Sequence, residues 1–530
     1  MPIRMTDDEN EPEEEEESKS EGGSFFLLAI LGALGGLIYK YPKVFVPILI
    51  VGLLGLICIG SISEEDSEYE EEEESSEVMS EGPHKLGAKF DMDRYDRTPV
   101  YEPLSKGMGN EIPSKVSLLK YAPKRKNQGE QGSCTGWAVS YAARTILHAK
   151  ATGEDPNQVS FSPAYLFNQN TDKKCDGAYP VDLLEGLKKQ GNLQYADFPY
   201  DEESCRKKPT SEQKDKAKEY RIEGYQRLTE DGEKYDTDID SIKQYLAQGS
   251  PVVISMEVGG TFLDLTEAVW HPTNTDYKAV KRYKKGNDDD GEWGGHAMTA
   301  IGYDDEKDGG AVQIMNSWGE GFGKKGIFWL RYEDFNTFVR EVYALYPPKT
   351  FEENESVSYH FGLLENSSKE FIQLKQVKNN HFQTKEPIKV GTRFKVSVKN
   401  DKPTYLYIFG QETDGSSYVL FPYTDKHSPY CGTTGTRVFP KRQSLEVDGL
   451  GKKDRIVFVL GKKQLNYKEI NKAVNKSGAK SYLDKFSAAL KSKISTSSEF
   501  SESGDTIDLV SSDHDPDTVD VVLIEFDKEK

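Results

Sequence analysis

The sequence predicts an α+β protein in which a domain of mixed helices and strands is followed by a small, mainly antiparallel β domain. The chain has 530 residues, more than one ordinary hydrophobic core organises. Residues 109–348 begin with helical apolar spacing and continue with strand patterns separated by glycine-containing turns. Residues 352–530 consist of short runs rich in β-branched and aromatic residues, interrupted by turn signals and by one helical pattern, YLDKFSAALKSKI.

Two acidic segments precede these domains. Residues 1–24 contain the run EPEEEEES, and residues 63–108 begin with SEEDSEYEEEEESSE. Runs of like charge stay solvated, so we expect a disordered tail and a disordered linker. The formal net charge of -21 also argues against nucleic acid as a partner, because nothing would offset repulsion from the phosphates.

Residues 25–62 are strongly apolar and are predicted to form a membrane segment. A bilayer core requires about 20 apolar residues for each helix, a length that residues 44–62 nearly reach, whereas residues 25–39 are short. The segment is therefore expected to cross once or to form a hairpin. Lys40 and Lys43 should stay in the cytoplasm, which places everything after the segment outside it. A catalytic part inside the cytoplasm is the weaker alternative, and the acidic leader disfavours a cleaved signal peptide.

The stretch NQGEQGSCTGWAVSYAARTIL, residues 127–147, places Cys134 directly before a run with helical apolar spacing. The N-terminus of a helix carries partial positive charge and unpaired N–H groups, and both favour a thiolate. Because the thiolate is the reactive form of cysteine, a nucleophile would be placed at this position. An inert thiol at a helix start is the alternative that this stretch alone leaves open.

A cysteine nucleophile needs a base, and His296 in GGHAMTAIGYDD is the candidate among the eight histidines. It stands at the start of a predicted strand, from which its ring can lean over a cleft. Asn316 in MNSWGEGFGKKG can accept a hydrogen bond from the imidazole, and Trp318 can screen that bond from water. Taken singly, a histidine such as His296 is more often structural than catalytic, and Asn-Ser-Trp-Gly could equally be a turn.

Together, Gln-x5-Cys, Gly-His-Ala and Asn-Ser-Trp-Gly, in this order, resemble the papain-like cysteine peptidases. Further matches are CDGAYP from Cys175, FPY before Cys205, PVVISMEV from Pro251 and GFGKKGIFWLRY after Asn316. The resemblance covers about residues 112–347 and, through Gly-Ser-Cys-Thr, indicates the bacterial-type variant. It implies a two-lobed papain-like fold, with a helical lobe and a β-barrel-like lobe.

The resemblance implies a catalytic role for four residues. Cys134 matches the nucleophile, His296 the general base and acid, and Asn316 the residue that orients the imidazole. Gln128 matches the glutamine whose side-chain N–H groups complete an oxyanion hole with the backbone N–H of Cys134. The implied reaction is hydrolysis of a peptide or protein substrate through a thiolate–imidazolium pair and a thioester, without a metal ion or an organic cofactor.

The same resemblance implies a disulfide and a substrate-binding surface. Cys175 and Cys205 are expected to be bonded to each other, which is chemically permitted outside the cytoplasm. Extended substrate backbone is expected to pair with the segment that follows Cys175. The substrate-binding residues implied in this way are Gly132, Ser133, Gly177, Ala178, Tyr179, Gly295 and Trp318.

The C-terminal block, residues 352–530, resembles more weakly a bacterial β-rich domain of unknown function that follows proteases and kinases. The pairing of YLYIFGQETDG with SSYVLFPY is the basis of this resemblance. The domain is expected to recognise an unidentified partner of the cell envelope or to serve as a folding unit.

Three functions are compatible with the sequence. The leading hypothesis is a membrane-anchored cysteine peptidase that works outside the cytoplasm. The second is a catalytically inactive peptide-binding protein of the same fold, and the third is an amidase or acyl transferase that uses the same triad. A helical inhibitory propeptide is not recognisable between residues 63 and 112, so the sequence leaves open how activity is restrained.

Overall fold

The computed structural model describes residues 3–7, 85–229, 236–286, 292–346, 356–513 and 515–530. The expected membrane segment, residues 25–62, lies outside the described residues, as does most of the two acidic segments. Among the residues that are described, no helix is both long enough and apolar enough to cross a bilayer.

Most of the helices belong to the first domain, and the strands are shared between both domains. The α-helices are Met92–Asp96, Cys134–Gly136, Thr145–Thr152, Pro163–Asn170, Pro180–Gln190, Ser211–Ala217, Ile239–Ala247, Asn274–Tyr283, Tyr332–Phe338, Tyr467–Lys476 and Tyr482–Leu490, and Trp137–Arg144 is π-helical. Short 3₁₀ turns lie at Leu119–Tyr121, Lys218–Tyr220, Gly260–Phe262, Lys307–Gly309 and Lys491–Lys493.

The strands are numbered in chain order. They are β1 Ile3–Asp7, β2 Lys115–Ser117, β3 Gly224–Arg227, β4 Val252–Val258, β5 Val269–Trp270, β6 Gly294–Asp304, β7 Ala311–Met315, β8 Ile327–Arg331, β9 Val339–Tyr346, β10 Val357–Glu365, β11 Leu374–Lys378, β12 His381–Thr384, β13 Ile388–Lys389, β14 Arg393–Asn400, β15 Thr404–Gln411, β16 Ser417–Phe421, β17 Tyr430–Cys431, β18 Gly435–Phe439, β19 Gln443–Val447, β20 Lys453–Gly461, β21 Ser498–Ser503, β22 Thr506–Ser511 and β23 Val519–Glu529.

One sheet forms the β lobe of the first domain. Its strand order is β3-β9-β4-β6-β7-β8-β5, and β2 pairs with β6. The strand β4, which lies within PVVISMEV, is buried along its whole length because both faces of the sheet are covered. Val253 and Ala297 contact the core that contains Cys134 and the residues of its helix, whereas Ile254 and Met256 belong to the core on the other face. The sheet thereby brings β6 and β7 next to the helix that begins at Cys134.

The C-terminal domain is a two-layer β structure. One layer has the order β1-β19-β14-β10-β22-β21 with β18 on β14, and the other has β11-β12-β23-β20-β15-β16 with β13 on β23 and β17 on β15. An apolar core that includes Phe361, Val396 and Ile524 lies between the layers. The domain is mainly antiparallel, as predicted, although β12 and β13 run parallel to β23. The predicted helix forms over Tyr482–Leu490, and the unpredicted helix Tyr467–Lys476 precedes it. The α+β fold class is confirmed.

Parts of the two segments that were expected to be disordered are ordered, so those predictions are wrong there. Residues 3–7 of the acidic tail form β1, which pairs antiparallel with the edge strand β19. Residues 85–108 of the expected linker run along both domains. Apolar side chains within this polar segment are buried, and these are Tyr95, Val100, Tyr101 and Leu104. We call residues 85–110 the strap.

Candidate active site

Cys134 is the first residue of a helix, as the sequence predicts. The turn Cys134–Gly136 continues as a π-helix over Trp137–Arg144, and the thiol is fully buried. The backbone N–H groups of Cys134 and Thr135 are directed at the sulfur. This arrangement offers a thiolate the positive end of a helix and two hydrogen-bond donors.

His296 lies in β6 and Asn316 follows the neighbouring strand β7, so the sheet brings the two side chains together. His296 Nε2 is 2.7 Å from Asn316 Oδ1. The backbone N–H of Ser317 donates to the same Oδ1 at 2.7 Å, which identifies that atom as the carbonyl oxygen of the amide. His296 must therefore donate from Nε2, and its Nδ1 is the nitrogen that can accept a proton from a thiol.

Contacts of the histidine strand bring the imidazole to the cysteine helix. The N–H of Ala297, the residue after His296, faces the Cys134 sulfur and lowers the pKa of the thiol. Trp318 stacks on the imidazole with ring centroids 4.3 Å apart and an interplanar angle of 28°. Both rings are buried, so the hydrogen bond between His296 and Asn316 is shielded from water. Sulfur, imidazole and carboxamide thus lie at one place in the fold although they are far apart along the chain.

Gln128 is held in one orientation by residues that the sequence analysis did not single out. Ser317 donates its hydroxyl to Gln128 Oε1 at 2.7 Å, which leaves Nε2 to donate elsewhere. Tyr200 donates to the backbone oxygen of Gln128 at 2.7 Å, and its hydroxyl lies 2.6 Å from that of Ser133. Ser317 stands in Asn-Ser-Trp-Gly and Tyr200 in FPY, but neither motif by itself indicates a contact with Gln128.

The strap runs through the cleft beside these residues. Gln128 Nε2 donates to the Lys85 carbonyl at 2.9 Å, so a peptide carbonyl already occupies a donor that the resemblance assigns to the oxyanion hole. The N–H of Gly87 is directed at the Cys134 thiol and also donates to the Gly295 carbonyl, at 3.1 Å. The segment therefore contacts the nucleophile, the oxyanion donor and the histidine strand.

Main-chain pairing with Ala178 fixes the strap on the opposite wall of the cleft. The Ala178 N–H donates to the Gly87 carbonyl at 3.0 Å, and the Lys89 N–H donates to the Ala178 carbonyl at 3.0 Å. These bonds form a parallel bridge between Ala88 and Ala178. On the wall formed by the histidine strand, the N–H of Ala88 donates to the Gly295 carbonyl at 2.9 Å. The groove thus holds an extended backbone between two rows of main-chain groups.

The remaining residues expected at the substrate surface line the same groove. Gly177 has a positive φ of 101°, and a Cβ there would overlap the Gly87 carbonyl, so glycine permits the close approach of the strap. A Cβ on Gly87 would in turn overlap the carbonyl of Gly132. The ring of Tyr179 lies under the Arg94 guanidinium at 4.2 Å.

With the strap in place, the Cys134 thiol stays protonated at neutral pH. Burial raises its pKa to about 11, and the N–H groups that face the sulfur lower it by less. The helix N-terminus, which favours a thiolate, is therefore outweighed while the cleft is filled. Burial beneath the strap therefore disfavours charge separation between Cys134 and His296.

Cys175 and Cys205 form the disulfide that the resemblance implied. The bond ties the segment that contains Gly177 and Ala178 to the loop after Tyr200, and so connects one wall of the groove to the loop that bonds Gln128. Among the described residues, the free cysteines are Cys134 and Cys431, and both are buried.

Comparison with known families divides the chain in the same way. Residues 112–347 match the family model described as "Papain family cysteine protease". Residues 388–464 match a second model, "Domain of unknown function (DUF4384)". The first match contains Cys134, His296, Asn316 and Gln128 but not the strap, and the second lies within the two-layer β domain.

Relatives of known sequence match the first domain at low identity. Cathepsin K of Mus musculus is 26% identical over 239 residues, which are 44% of this chain and 63% of the relative. An uncharacterized peptidase C1-like protein of Acanthamoeba polyphaga mimivirus is 29% identical over 228 residues, 41% of this chain and 68% of the relative. The chain thus spans less than two thirds of the mouse cathepsin K sequence. A solved structure is also similar, that of xylellain, a cysteine protease from Xylella fastidiosa. The two chains superpose with a TM-score of 0.41 at 22% sequence identity, and the match covers 52% of this chain and 100% of the xylellain chain.

Proposed function

Because residues 112–347 form a papain-family cysteine protease domain, we propose that the chain is a cysteine-type peptidase that hydrolyses peptide bonds through Cys134. One observation is decisive for the proposal. His296 donates from Nε2 to Asn316, which makes Nδ1 the proton acceptor, and the N–H of the next residue, Ala297, faces the Cys134 sulfur. A merely structural histidine would need neither this tautomer nor a cysteine at a helix start beside it.

The reaction begins when a peptide replaces the strap in the groove. The Cys134 proton moves to His296 Nδ1, and the resulting thiolate and imidazolium stabilise each other. Sulfur adds to the peptide carbonyl carbon, and the π electrons of the carbonyl move onto its oxygen. The Nε2 group of Gln128, which donates to the Lys85 carbonyl in the strap-bound form, and the N–H of Cys134 stabilise the oxyanion.

The thioester forms when the C–N bond breaks and His296 Nδ1 gives its proton to the leaving amine. Water then gives a proton to His296 and adds to the thioester carbonyl. Expulsion of the Cys134 sulfur releases the carboxylic acid and regenerates the thiolate–imidazolium pair. Asn316 holds the imidazole in one orientation during both proton transfers.

Peptide is the substrate class that the groove favours. The strap occupies it as extended backbone, with N–H and C=O groups that pair with Ala178 and Gly295 on opposite walls. A non-peptide amide or acyl donor lacks this repeating pattern of donors and acceptors, which disfavours the amidase and acyl transferase alternatives. The oriented pair of His296 and Asn316 disfavours an inactive peptide-binding protein, because peptide binding alone requires no defined histidine tautomer.

Activity is tested on the full-length chain, since a truncated chain would lack the strap. The variant Gly87→Leu, whose side chain would overlap Gly132, serves as the form with an open cleft. It is incubated with a peptide library and with an epoxide that alkylates active-site thiols, alone and combined with Cys134→Ser or His296→Ala. We expect peptide cleavage and alkylation with Gly87→Leu alone and neither in the two combinations.

Gly478→Leu is the matched control, because a side chain at that position meets open space. It should behave as the unchanged chain does. If Gly87→Leu retains the circular dichroism of the unchanged chain and cleaves no peptide, the peptidase proposal is wrong. Cleavage of non-peptide amides in place of peptides would support the amidase alternative.

We further propose that residues 25–62 anchor the protein in a membrane and that the peptidase works outside the cytoplasm. The apolar length of the segment supports the anchor, and Lys40 and Lys43 support its orientation. The disulfide between Cys175 and Cys205 supports an oxidising compartment. Protease added to sealed right-side-out membrane vesicles should digest both domains, and their protection would contradict this topology. An envelope partner of the C-terminal domain stays a prediction.

A further inference from the structure

The cleft part of the strap, residues 85–91, excludes substrate from the nucleophile. The exposed fraction is 0% for both Cys134 and His296. Backbone meets backbone at Gly87, where a Cβ would overlap the Gly132 carbonyl. Since the same groove would bind an extended peptide, a substrate reaches the thiol only after this segment has left.

A helical turn connects the cleft part to the rest of the strap. The N–H of Asp91 faces the Glu341 carboxyl, and the helix Met92–Asp96 follows. Tyr95 within that helix is fully buried, and its hydroxyl accepts from the Val342 N–H at 3.0 Å and donates to the Val342 carbonyl at 3.3 Å. The cleft part is therefore joined without a flexible spacer to the segment that follows.

Beyond the helix, the strap lies between the two domains. Val100 forms bridges on both sides, with Arg227 of the first domain and with His427 of the C-terminal domain. Its N–H donates to the Lys426 carbonyl at 2.7 Å, and its carbonyl accepts from the Ser428 N–H at 2.7 Å. Val100 is buried. This part of the strap can lift away only if the C-terminal domain moves.

Residues 426–437 of the C-terminal domain form the surface that covers the strap, and we call them the clamp surface. Lys426 pairs with Asp96 at the end of the strap helix. Arg437 Nε donates to the Glu102 carbonyl at 2.9 Å. Charged side chains of the clamp surface thus bind both a carboxylate and a main-chain oxygen of the strap.

The far end of the strap is bound to the clamp surface in the same way. The Asn110 side chain donates to the Thr436 carbonyl at 2.7 Å and accepts from the Thr436 N–H at 2.8 Å. The N–H of Ser105 donates to the same carbonyl at 2.9 Å. These hydrogen bonds are partly buried and contribute to docking, because undocking would break them.

The C-terminal domain also contacts the first domain directly and binds the N-terminal strand. Gln248 exchanges two hydrogen bonds with Thr434, both at 2.8 Å, and the rings of Tyr346 and Tyr430 are 4.3 Å apart. The strand β1 pairs with β19 of the same domain. Both described segments that precede the peptidase domain therefore dock on the C-terminal domain.

We propose that the C-terminal domain is an intramolecular clamp that keeps residues 85–91 in the cleft and so holds the peptidase in a latent form. Latency rests on the peptidase function proposed above, whereas the clamp itself does not. The cleft part is held largely by main-chain hydrogen bonds, and enclosure of the following segment keeps the cleft part at high effective concentration beside the groove. Separation of the two domains, by a partner or by a cut, releases the strap.

The test uses the full-length chain with Cys134→Ser, so that the result does not depend on catalysis. Asn110→Ala and Lys426→Glu are introduced together. They remove the hydrogen bonds to Thr436 and replace the attraction between Lys426 and Asp96 by a repulsion. Amide hydrogen exchange is then followed by mass spectrometry along the chain.

The clamp predicts that two separate parts of the strap respond together. Exchange at residues 98–105 should accelerate because the clamp surface covers them. Relative to the chain with Cys134→Ser alone, exchange at residues 85–91 should accelerate by about tenfold as well, although neither Asn110 nor Lys426 lies in the cleft. Exchange at residues 297–303 of β6 should stay unchanged, which shows that the first domain is still folded.

The control combines Asn475→Ala with Lys463→Glu in the same domain. The Asn475 side chain makes the equivalent pair of hydrogen bonds to the backbone of Ser417, at 2.6 and 2.9 Å. Lys463 pairs with Asp517 at 3.0 Å on the surface. This control removes the same kinds of interaction away from the strap and should leave exchange at residues 85–91 unchanged.

Faster exchange at residues 98–105 with unchanged exchange at residues 85–91 would overturn the clamp. If the double variant leaves residues 98–105 unaffected, Val100→Arg places a large charged side chain between the domains, and the same criterion applies. With Cys134 intact, the clamp variants should also cleave peptides about tenfold faster than the unchanged chain. Faster exchange without cleavage, in these variants and in Gly87→Leu, would contradict the peptidase and leave the clamp supported.

Discussion

Two buried cysteines, one in each domain, have the same side chain and different surroundings. Cys134 begins a helix, and its sulfur is faced by the N–H groups of Gly87 and Ala297. Cys431 lies in β17, pairs with Thr404 of β15 and belongs to the core between the two β layers. Burial raises the pKa of both thiols. The two sites differ in what covers the sulfur and in what lies beside it.

The cover of Cys134 is part of the strap, whereas Cys431 belongs to the apolar core of its own domain. A strap can leave while its domain stays folded, but a β core can open only by unfolding. Next to Ala297, whose N–H faces Cys134, stands His296, the proposed proton acceptor. The charged groups that act on the pKa of the Cys431 thiol are Arg437 and Glu102. Burial alone therefore does not separate a nucleophile from a structural thiol. What distinguishes a nucleophilic thiol from a structural thiol is a neighbouring base and a cover that can be removed.

Replacing each of the two cysteines in turn by serine is the strongest test of this comparison. In the Gly87→Leu chain, Cys134→Ser should lower kcat/KM for peptide cleavage by about 10⁴-fold or more, because the triad loses its nucleophile. Cys431→Ser should leave kcat/KM nearly unchanged and lower the thermal stability, because a hydroxyl replaces a thiol in an apolar core. Peptide hydrolysis and thermal unfolding measure the two effects. A folded Cys431→Ser chain without activity would contradict the comparison.

Removal of the oxyanion donor should have the next largest effect. Gln128→Ala in the Gly87→Leu chain should lower kcat by about 10²–10³-fold with little change in KM, because the donor acts on charge that develops only during the reaction. Gln131→Ala is the control, since this neighbouring glutamine donates to the Asp201 carbonyl at 3.1 Å. Steady-state kinetics separate kcat from KM. Equal losses in the two variants would assign Gln128 a structural role.

The side chains that we propose to be catalytic could be predicted from the sequence because each stands in a short local pattern. A cysteine at the start of an apolar helical run, and a histidine at the start of a strand, keep these places whatever the rest of the chain does. Tyr200 and Ser317 could not be assigned in the same way. Their contacts with Gln128 join segments that are distant along the chain, and only the folded lobes bring them together.

The helices and strands of both domains were likewise predicted where a local pattern specifies them and missed where it does not. The strands β4, β7 and β8 and the helix at Cys134 form where their apolar spacing predicts them. The strap was missed because its buried residues, such as Val100, follow neither helical nor strand spacing and are buried by two other surfaces. The helix Tyr467–Lys476 was missed because it is largely polar, with one buried residue, Val474. Local periodicity cannot report burial that depends on a partner surface.

Displacement of the strap should sharpen the contrast between the two thiols. Gly87→Leu should raise the rate at which a small neutral reagent alkylates Cys134 by between about 10-fold and 100-fold, as expected for a side chain forced into a close backbone contact. The rate at Cys431 should not change, because its cover is untouched. Peptide mapping after timed alkylation measures both rates in one sample. Equal acceleration at both cysteines would indicate general unfolding and contradict a removable cover.

Glu102 makes the release of the strap depend on pH. It lies buried on the strap against the C-terminal domain, and burial raises the pKa of its carboxyl to about 8. The groups that lower this pKa are Lys441 and Arg437, then a hydrogen bond from Tyr423, then Lys395. Because Glu102 regains its ordinary pKa of 4.5 when it is exposed, docking of the strap takes up a proton.

The contribution of Glu102 to docking is therefore complete below pH 4.5 and is lost as the pH rises toward 8. Within that window, exchange at residues 85–91 should accelerate relative to Glu102→Gln by about tenfold for each pH unit, since one proton is released. The exchange rate of the unchanged chain is divided by that of Glu102→Gln at each pH. This ratio cancels the intrinsic pH dependence of amide exchange. Glu111→Gln, at an exposed glutamate just beyond the strap, should follow the unchanged chain at every pH. A ratio that stays constant between pH 5 and pH 8 would mean that Glu102 keeps its charge while docked, and that Lys441 and Arg437 compensate its burial.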